Sequence, residues 1–201
     1  MKIFSYEKLI DPFLKDVREF VLNFSEIKPG ERVLDIGCGT GEQAVYFAKK
    51  GAIVAGIDIN PKMVGCALKK KEKEGPNIYF QGGDATDLPF LDPVFDLAVI
   101  SLVLHEIESK DRDKVISEMK RVVKKGGRLI FIDFNCPLPK SMISFFVNLI
   151  EFFVGRRNYK NFKSYLKEGG ILKILEKNQL TPEKVEYLRS RLLIAIKVKN
   201  L

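Results

Sequence analysis

The stretch VLDIGCGTGEQA, Val33–Ala44, sets three glycines, Gly37, Gly39 and Gly41, at alternate positions between an apolar run and a helix-forming segment. Glycine is costly to order, so three this close together mark a backbone that something must approach closely. Before the loop, RVLDIG (32–37) reads as a buried strand. After it, EQAVYFAKKG (42–51) carries apolar residues at helical spacing and ends in Lys and Gly, a helix C-terminus signature.

The same alternation continues along the chain. AIVAGIDI (52–59), NIYFQGGD (77–84), FDLAVIS (95–101) and RLIFIDF (128–134) are nearly continuous apolar runs of strand length, the pattern of a parallel sheet covered on both faces. Between them lie PKMVGCALKKKEKEG (61–75) and DRDKVISEMKRVVKKGG (111–127), both of helical period and both ending in Lys and Gly. Strand and helix in alternation imply an α/β, doubly wound sheet with helices on both faces. Near the end, VEYLRSRLLIAIKVKN (185–200) has two apolar runs parted only at about Arg189-Ser190. That gap is too short for a crossover helix and long enough for a hairpin, so the last of about seven strands should run antiparallel at or near a sheet edge. No repeat, linker or low-complexity tract divides the chain, and 201 residues at 46% hydrophobic fit one domain over 1–201.

Composition narrows the function. Cys38, Cys66 and Cys136 are scattered, and His105 is the single histidine. A disulfide framework and a Cys/His metal site therefore find no support, and no metal is expected. The opening MKIFSYEKLIDPF is interrupted by charge too often for a secretory leader, which points to a cytoplasmic protein. The net charge of +8 is uneven: residues 1–100 hold 13 Lys/Arg against 15 Asp/Glu, and residues 101–201 hold 21 against 11. Lysines spread along helix faces are ordinarily a solvated surface, so the asymmetry alone does not make a nucleic-acid partner.

In a doubly wound sheet, ligands bind beyond the carboxyl ends of the strands where the chain order reverses, and the glycine loop sits at such an end. A dinucleotide fingerprint reads G-x-G-x-x-G. Here Gly41 follows Gly39 after one residue and Glu42 stands where the pattern needs glycine, which weakens a nicotinamide-dependent oxidoreductase reading. Asp58 closes the second strand, where a carboxylate can accept both hydroxyls of a ribose, so an adenosine-like ligand fits.

The ordered motifs VLDIGCGTG, GIDINPKMV, GDATDLPF, FDLAVISLVLHEI and KKGGRLIFIDF resemble those of class I S-adenosylmethionine-dependent methyltransferases, in particular the group that includes the ubiquinone and menaquinone methyltransferases. The resemblance spans about residues 25–135 and implies a Rossmann-like mixed sheet with S-adenosylmethionine as cofactor. By the same resemblance, Asp35, Gly37, Cys38, Gly39 and Gly41 hold the methionine part. Asp58 takes the ribose hydroxyls, Ile59 and Met63 sandwich the adenine, and Asp84 with the Ala85 N–H reads the adenine edge. Ser101 and Leu102 border the sulfonium. The local alternative for Asp35 and Asp84 is a turn or cap carboxylate, and for Met63 a core role. A third reading is a cofactor-binding regulatory module without turnover.

His105 and Glu106 follow the fourth strand, and the family picture sets them facing the mouth. His105 is the candidate general base, although displacement at a sulfonium releases a neutral leaving group and can proceed on positioning and desolvation alone. Lining the substrate is its other role. The fourth strand ends in Ser-Leu-Val-Leu, without the Asn/Asp-Pro-Pro-aromatic signature of amino-methylating nucleic-acid enzymes, so a small-molecule acceptor leads. The insertion PKSMISFFVNLIEFFVGRR (139–157), after the fifth strand, is strongly apolar, with Ser144, Asn148 and Glu151 in one polar line. Its apolar centre of about 13 residues makes about 20 Å of helix, short of a bilayer span. It reads as a helical cap (139–166), a partner surface or a membrane-facing helix, with peripheral membrane contact as one outcome. Tyr6, Tyr159 and Phe162 are candidates to close the substrate pocket beside His105, and an apolar, lipid-like acceptor follows.

Overall fold

The computed structural model describes residues 3–74, 77–142, 144, 147, 149, 152 and 155–201, with side chains from Leu14 onward except Glu74. Helix α1 (Ile3–Ser25) precedes β1 (Arg32–Ile36), α2 (Glu42–Lys49), β2 (Ile53–Asp58), α3 (Pro61–Glu74), β3 (Ile78–Gly82), β4 (Phe95–Ser101) and α4 (Ser109–Val122). Strand β5 (Val123–Phe134) follows, then α5 (Arg156–Lys167), α6 (Gly170–Lys177), β6 (Pro182–Leu188) and β7 (Leu193–Lys199).

Among the described residues seven strands form one sheet in the order β3-β2-β1-β4-β5-β7-β6. The first five strands in the chain run parallel, and β7 is antiparallel to both β5 and β6. The reversed strand is thus one in from the edge, and β6 takes the edge itself. Chain order runs outward from β1 to β3, then crosses to β4, so the switch point lies between β1 and β4. That crevice is where such sheets bind ligands.

Burial explains the apolar runs. In β1, Val33, Leu34 and Ile36 are all 0% exposed, and Leu97, Ala98 and Val99 of β4 are as deeply buried. Helix α1, which the sequence reading did not identify, buries Val17, Val21 and Phe24 at helical spacing. One boundary also differs: α4 ends at Val122, where the sequence pattern carries a helix on to the Lys-Gly pair. Val123 instead pairs with Phe95 at the start of β4, and the chain passes Gly126 at φ +77° before regular pairing resumes at Arg128. Two adjacent β-branched residues, both buried, favour leaving the helix there.

Candidate active site

The loops after β1 and β2 are sewn together through the backbone. The Gly37 and Cys38 N–H groups both donate to the Ile57 carbonyl, at 2.8 and 3.0 Å, and Gly41 N–H donates back to Cys38 O at 2.9 Å. The Asp58 carboxylate bridges the loops, accepting Gly39 N–H on Oδ2 and Asn60 N–H on Oδ1, each at 2.8 Å. Gly41 sits at φ +81°, and a Cβ there would meet the Phe80 ring at 2.5 Å. Gly39 differs: its φ of +54° also favours glycine, yet a Cβ would meet nothing within 4 Å, so its backbone borders open space.

Asp35, at the root of this loop, is 3% exposed, and among the described residues its Oδ2 has no hydrogen-bond partner. Burial, reinforced by the neighbouring negative Asp58 and partly offset by Arg18 of α1, pushes its carboxyl from 3.8 up to about 7. A buried carboxylate oxygen without a partner costs free energy until a donor reaches it, and a ligand ammonium is such a donor. Cys38 is held protonated by burial first, then by Asp35 and Asp58, which suits packing and not nucleophilic chemistry.

The remaining cofactor candidates surround the same loops. Ile59 is 73% exposed and Met63 half-buried at the start of α3. Asp84 Oδ1 accepts both Thr86 N–H and Thr86 Oγ1, each at 2.8 Å, so one of its oxygens serves a local turn. Ala85 is half-buried beside it. Ser101 ends β4, and Leu102 follows in the left-handed region at φ +58°, its N–H donating to Ile132 O at 2.8 Å. A non-glycine residue in that conformation costs on the order of 1–3 kcal/mol, and here it turns the chain so that Val103 packs where a Gly37 Cβ would otherwise stand.

Two residues further, His105 is 3% exposed. Its Nδ1 lies 2.6 Å from Asp133 Oδ1, its own N–H donates to Asp133 Oδ2 at 3.1 Å, and Asp133 Oδ1 also accepts Phe134 N–H at 2.7 Å. Paired with a carboxylate acceptor, Nδ1 carries the proton in the neutral ring and the basic lone pair lies on Nε2. Phe134, Phe162 and Tyr165 stand edge-on around the ring at 4.8, 5.8 and 6.3 Å. Phe162 is 0% exposed and forms the wall behind His105, whereas Tyr159 is half-buried and packs on Phe152 at 5.5 Å. The side chain of Tyr6 lies outside the described residues.

Sequence reasoning missed Asp133 and Arg112. Asp133 was visible as a lone carboxylate inside the apolar run 129–134, but its partner lies 28 residues away. Arg112, 1% exposed, donates to Leu104 O, Asn161 O and Glu168 Oε2 at 3.2, 2.9 and 2.7 Å. Together with the bond from Asn161 Nδ2 to Glu106 O at 2.6 Å, it fastens the loop after β4 to α5.

The switch-point crevice, the glycine loop and the strand-end carboxylates define a Rossmann-like ligand site. Residues 34–131 match the family described as methyltransferase domain. In particular, the chain is 35% identical over 127 residues to a ubiquinone/menaquinone biosynthesis C-methyltransferase of Vibrio vulnificus, covering 60% of this chain and 48% of that one. It is 37% identical over 121 residues to a demethylmenaquinone methyltransferase of Paenarthrobacter aurescens, covering 60% and 46%. The chain therefore spans about half the length of these curated relatives. Among solved structures, an S-adenosylmethionine-dependent methyltransferase from Aquifex aeolicus matches over 100% of both chains with a TM-score of 0.73 at 22% identity, a likeness of fold. A [4+2]-cyclase shares the fold with a TM-score of 0.71 at 18% identity over 92% of this chain and 79% of its own, so the fold by itself does not dictate methyl transfer. Among the described residues no helix is long and apolar enough to cross a membrane, and no group of His, Cys, Asp or Glu could hold a metal ion.

Proposed function

We propose that this chain moves the methyl group of S-adenosylmethionine to a small, apolar, lipid-like acceptor. The observation that carries the reading is the Asp35 Oδ2, without a partner among the described residues and buried beside Asp58 under a glycine loop whose middle residue borders open space. Asp35 would take the cofactor's amino group at this oxygen, and the backbone at Gly37, Gly39 and Gly41 would border its methionine part. Asp58 already accepts one backbone N–H on each oxygen, and each retains a further lone pair for a ribose hydroxyl. Ile59 and Met63 would flank the adenine, while Asp84 Oδ2 and the Ala85 N–H would read its edge.

When bound, S-adenosylmethionine supplies an electrophilic methyl on a sulfonium. The chain's share of the chemistry is to hold the acceptor in line with that methyl and to exclude water. Ser101 and Leu102 border this side of the crevice, and Val103 ties the loop bearing His105 to Gly37. His105, oriented by Asp133, lines the acceptor's place. For an acceptor that loses a proton, Nε2 is the atom that receives it. The aromatic wall of Phe134, Phe162 and Tyr165, together with the names of the quinone-pathway relatives, supports an apolar acceptor over a polar one.

Calorimetry with S-adenosylhomocysteine, followed by transfer of a labelled methyl group to acceptors ranging from polar amines to prenylated quinols, tests both halves. Binding of the cofactor product with transfer to the apolar end of the series is expected. An absence of binding would overturn the activity, and transfer confined to polar amines would overturn the acceptor.

A further inference from the structure

Helix α5 buries Asn161, Phe162 and Tyr165 on one side, while Arg156, Lys160, Lys163 and Lys167 are all exposed. At about 100° per residue these four cations fall within an arc of about 60° opposite the buried face, along about 16 Å of axis. Among the described residues none of the four makes an ion pair, whereas the neighbouring Arg157 reaches Glu108 at 2.8 Å. Several lysines elsewhere are matched, Lys124 with Asp96, Lys173 with Glu176 and Lys177 with Asp113, and others such as Lys69 and Lys125 are exposed away from this line. The line on α5 is thus a local surplus of positive charge.

The segment before α5 supplies a second, independent observation. Ser144 is 7% exposed, yet Met142, Leu149 and Phe152 are 70%, 39% and 56% exposed. A helix facing water turns its serine outward and its Met, Leu and Phe inward, and here these residues show the reverse. The Phe152 ring packs on Tyr159 in the first turn of α5, which holds this apolar surface next to the cation line. Arg112 and Asn161 in turn fasten α5 to the domain, and the Phe152–Tyr159 contact joins the two features.

We infer that this face docks on an anionic lipid bilayer. The four unpaired cations meet headgroup phosphates, and Phe152, Met142 and Leu149 enter the interfacial layer beside them. A nucleic acid would match the cations but leave Met142 and Leu149 without a partner. Docking rests on this surface and not on the proposed methyl transfer. Where both hold, the membrane supplies an acceptor dissolved in it.

The test is flotation of the full chain with vesicles of phosphatidylcholine alone and of phosphatidylcholine with phosphatidylglycerol, at low and at high salt. Selective, salt-sensitive binding to the anionic vesicles is expected. The variant K160Q/K163Q/K167Q should lose on the order of a hundredfold in vesicle affinity, at about fivefold per near-surface cation, and keep its Tm and S-adenosylhomocysteine affinity. A control, K69Q/K73Q/K125Q, removes the same charge from exposed lysines elsewhere and should bind almost as the parent does. Phe152→Ser should weaken binding even at high salt, where the cations are screened. Equal losses in the stripe and control variants would overturn the proposal in favour of net charge. So would unchanged vesicle binding by the stripe variant, and vesicle binding unchanged while affinity for a short single-stranded RNA falls would instead assign the face to nucleic acid.

Discussion

The loops after β1 and β2 and the loop after β4 open at the same end of the sheet, but they are held by different means. Around Gly37–Gly41 the backbone does the holding, with N–H groups and carbonyls of two neighbouring loops bonded to one another and one carboxylate bridging them. Around His105 the side chains do it, through Asp133, Arg112 and Asn161, reaching across 28 to 55 residues of chain. A backbone-held site requires unusual φ values and glycine, which serves a cofactor of constant shape. A side-chain-held site can be retuned by substitution without altering the fold, which suits the half that would meet the acceptor in the proposed reaction.

Substitutions that strike one half and spare the other would sharpen this contrast, or break it. The largest effect is expected at Arg112. Arg112→Ala leaves the carbonyls of Leu104 and Asn161 without their donor inside the protein and should cost about 3–5 kcal/mol of stability, read by denaturant unfolding. A loss below about 1 kcal/mol would show that α5 is held by packing alone. Next comes Asp58→Ala, expected to cost about 2–4 kcal/mol of S-adenosylhomocysteine affinity, a loss of at least tenfold by calorimetry, with the fold retained. Unchanged affinity would remove Asp58 from the site.

Asp35 is expected to show a smaller effect of mixed sign. Its folded-state pKa of about 7 lies above the ordinary 3.8, so its contribution to stability is fully present below about pH 4 and lost as pH rises through about 7. Asp35→Asn should therefore raise the Tm of the cofactor-free protein near pH 8 relative to the parent, with little change near pH 4, and weaken S-adenosylhomocysteine binding most at the higher pH. A Tm difference that does not vary with pH would show that the carboxyl is not destabilised by burial. The smallest expected change in binding is at His105: His105→Gln should leave cofactor affinity within about twofold and lower turnover about a hundredfold, the low end of proton-transfer contributions. Equal losses in both quantities would erase the division between the halves.

How much of this was legible in the sequence follows the same division. The apolar runs located all seven strands, because a parallel sheet buried on both faces leaves little room for polar residues, and the short gap at 189–190 marked the closing hairpin and its reversed strand. The glycine loop and Asp58 were readable for a local reason, since conformation and strand position dictate the residue type. Helix α1 escaped notice because charge interrupts its apolar spacing, although Val17, Val21 and Phe24 bury a stripe. The end of α4 was misplaced because Lys and Gly mark a helix terminus in general, whereas pairing of Val123 with Phe95 overrides that signal. Of the phenylalanines in the insertion, Phe145, Phe146 and Phe153 lie outside the described residues, and Phe152 is exposed.

By itself, then, the sequence determined the layered α/β order, the single reversed strand and the glycine loop, since each rests on periodicity or on a backbone conformation that one residue type supplies. Only the tertiary structure decided that His105 is gripped by Asp133, that Arg112 binds the loop after β4 to α5, and that the cations of α5 lie beside exposed apolar residues. Those relations join residues distant in the chain through side chains whose identity alone does not name a partner; a buried arginine and an exposed one look the same until the chain has folded around them.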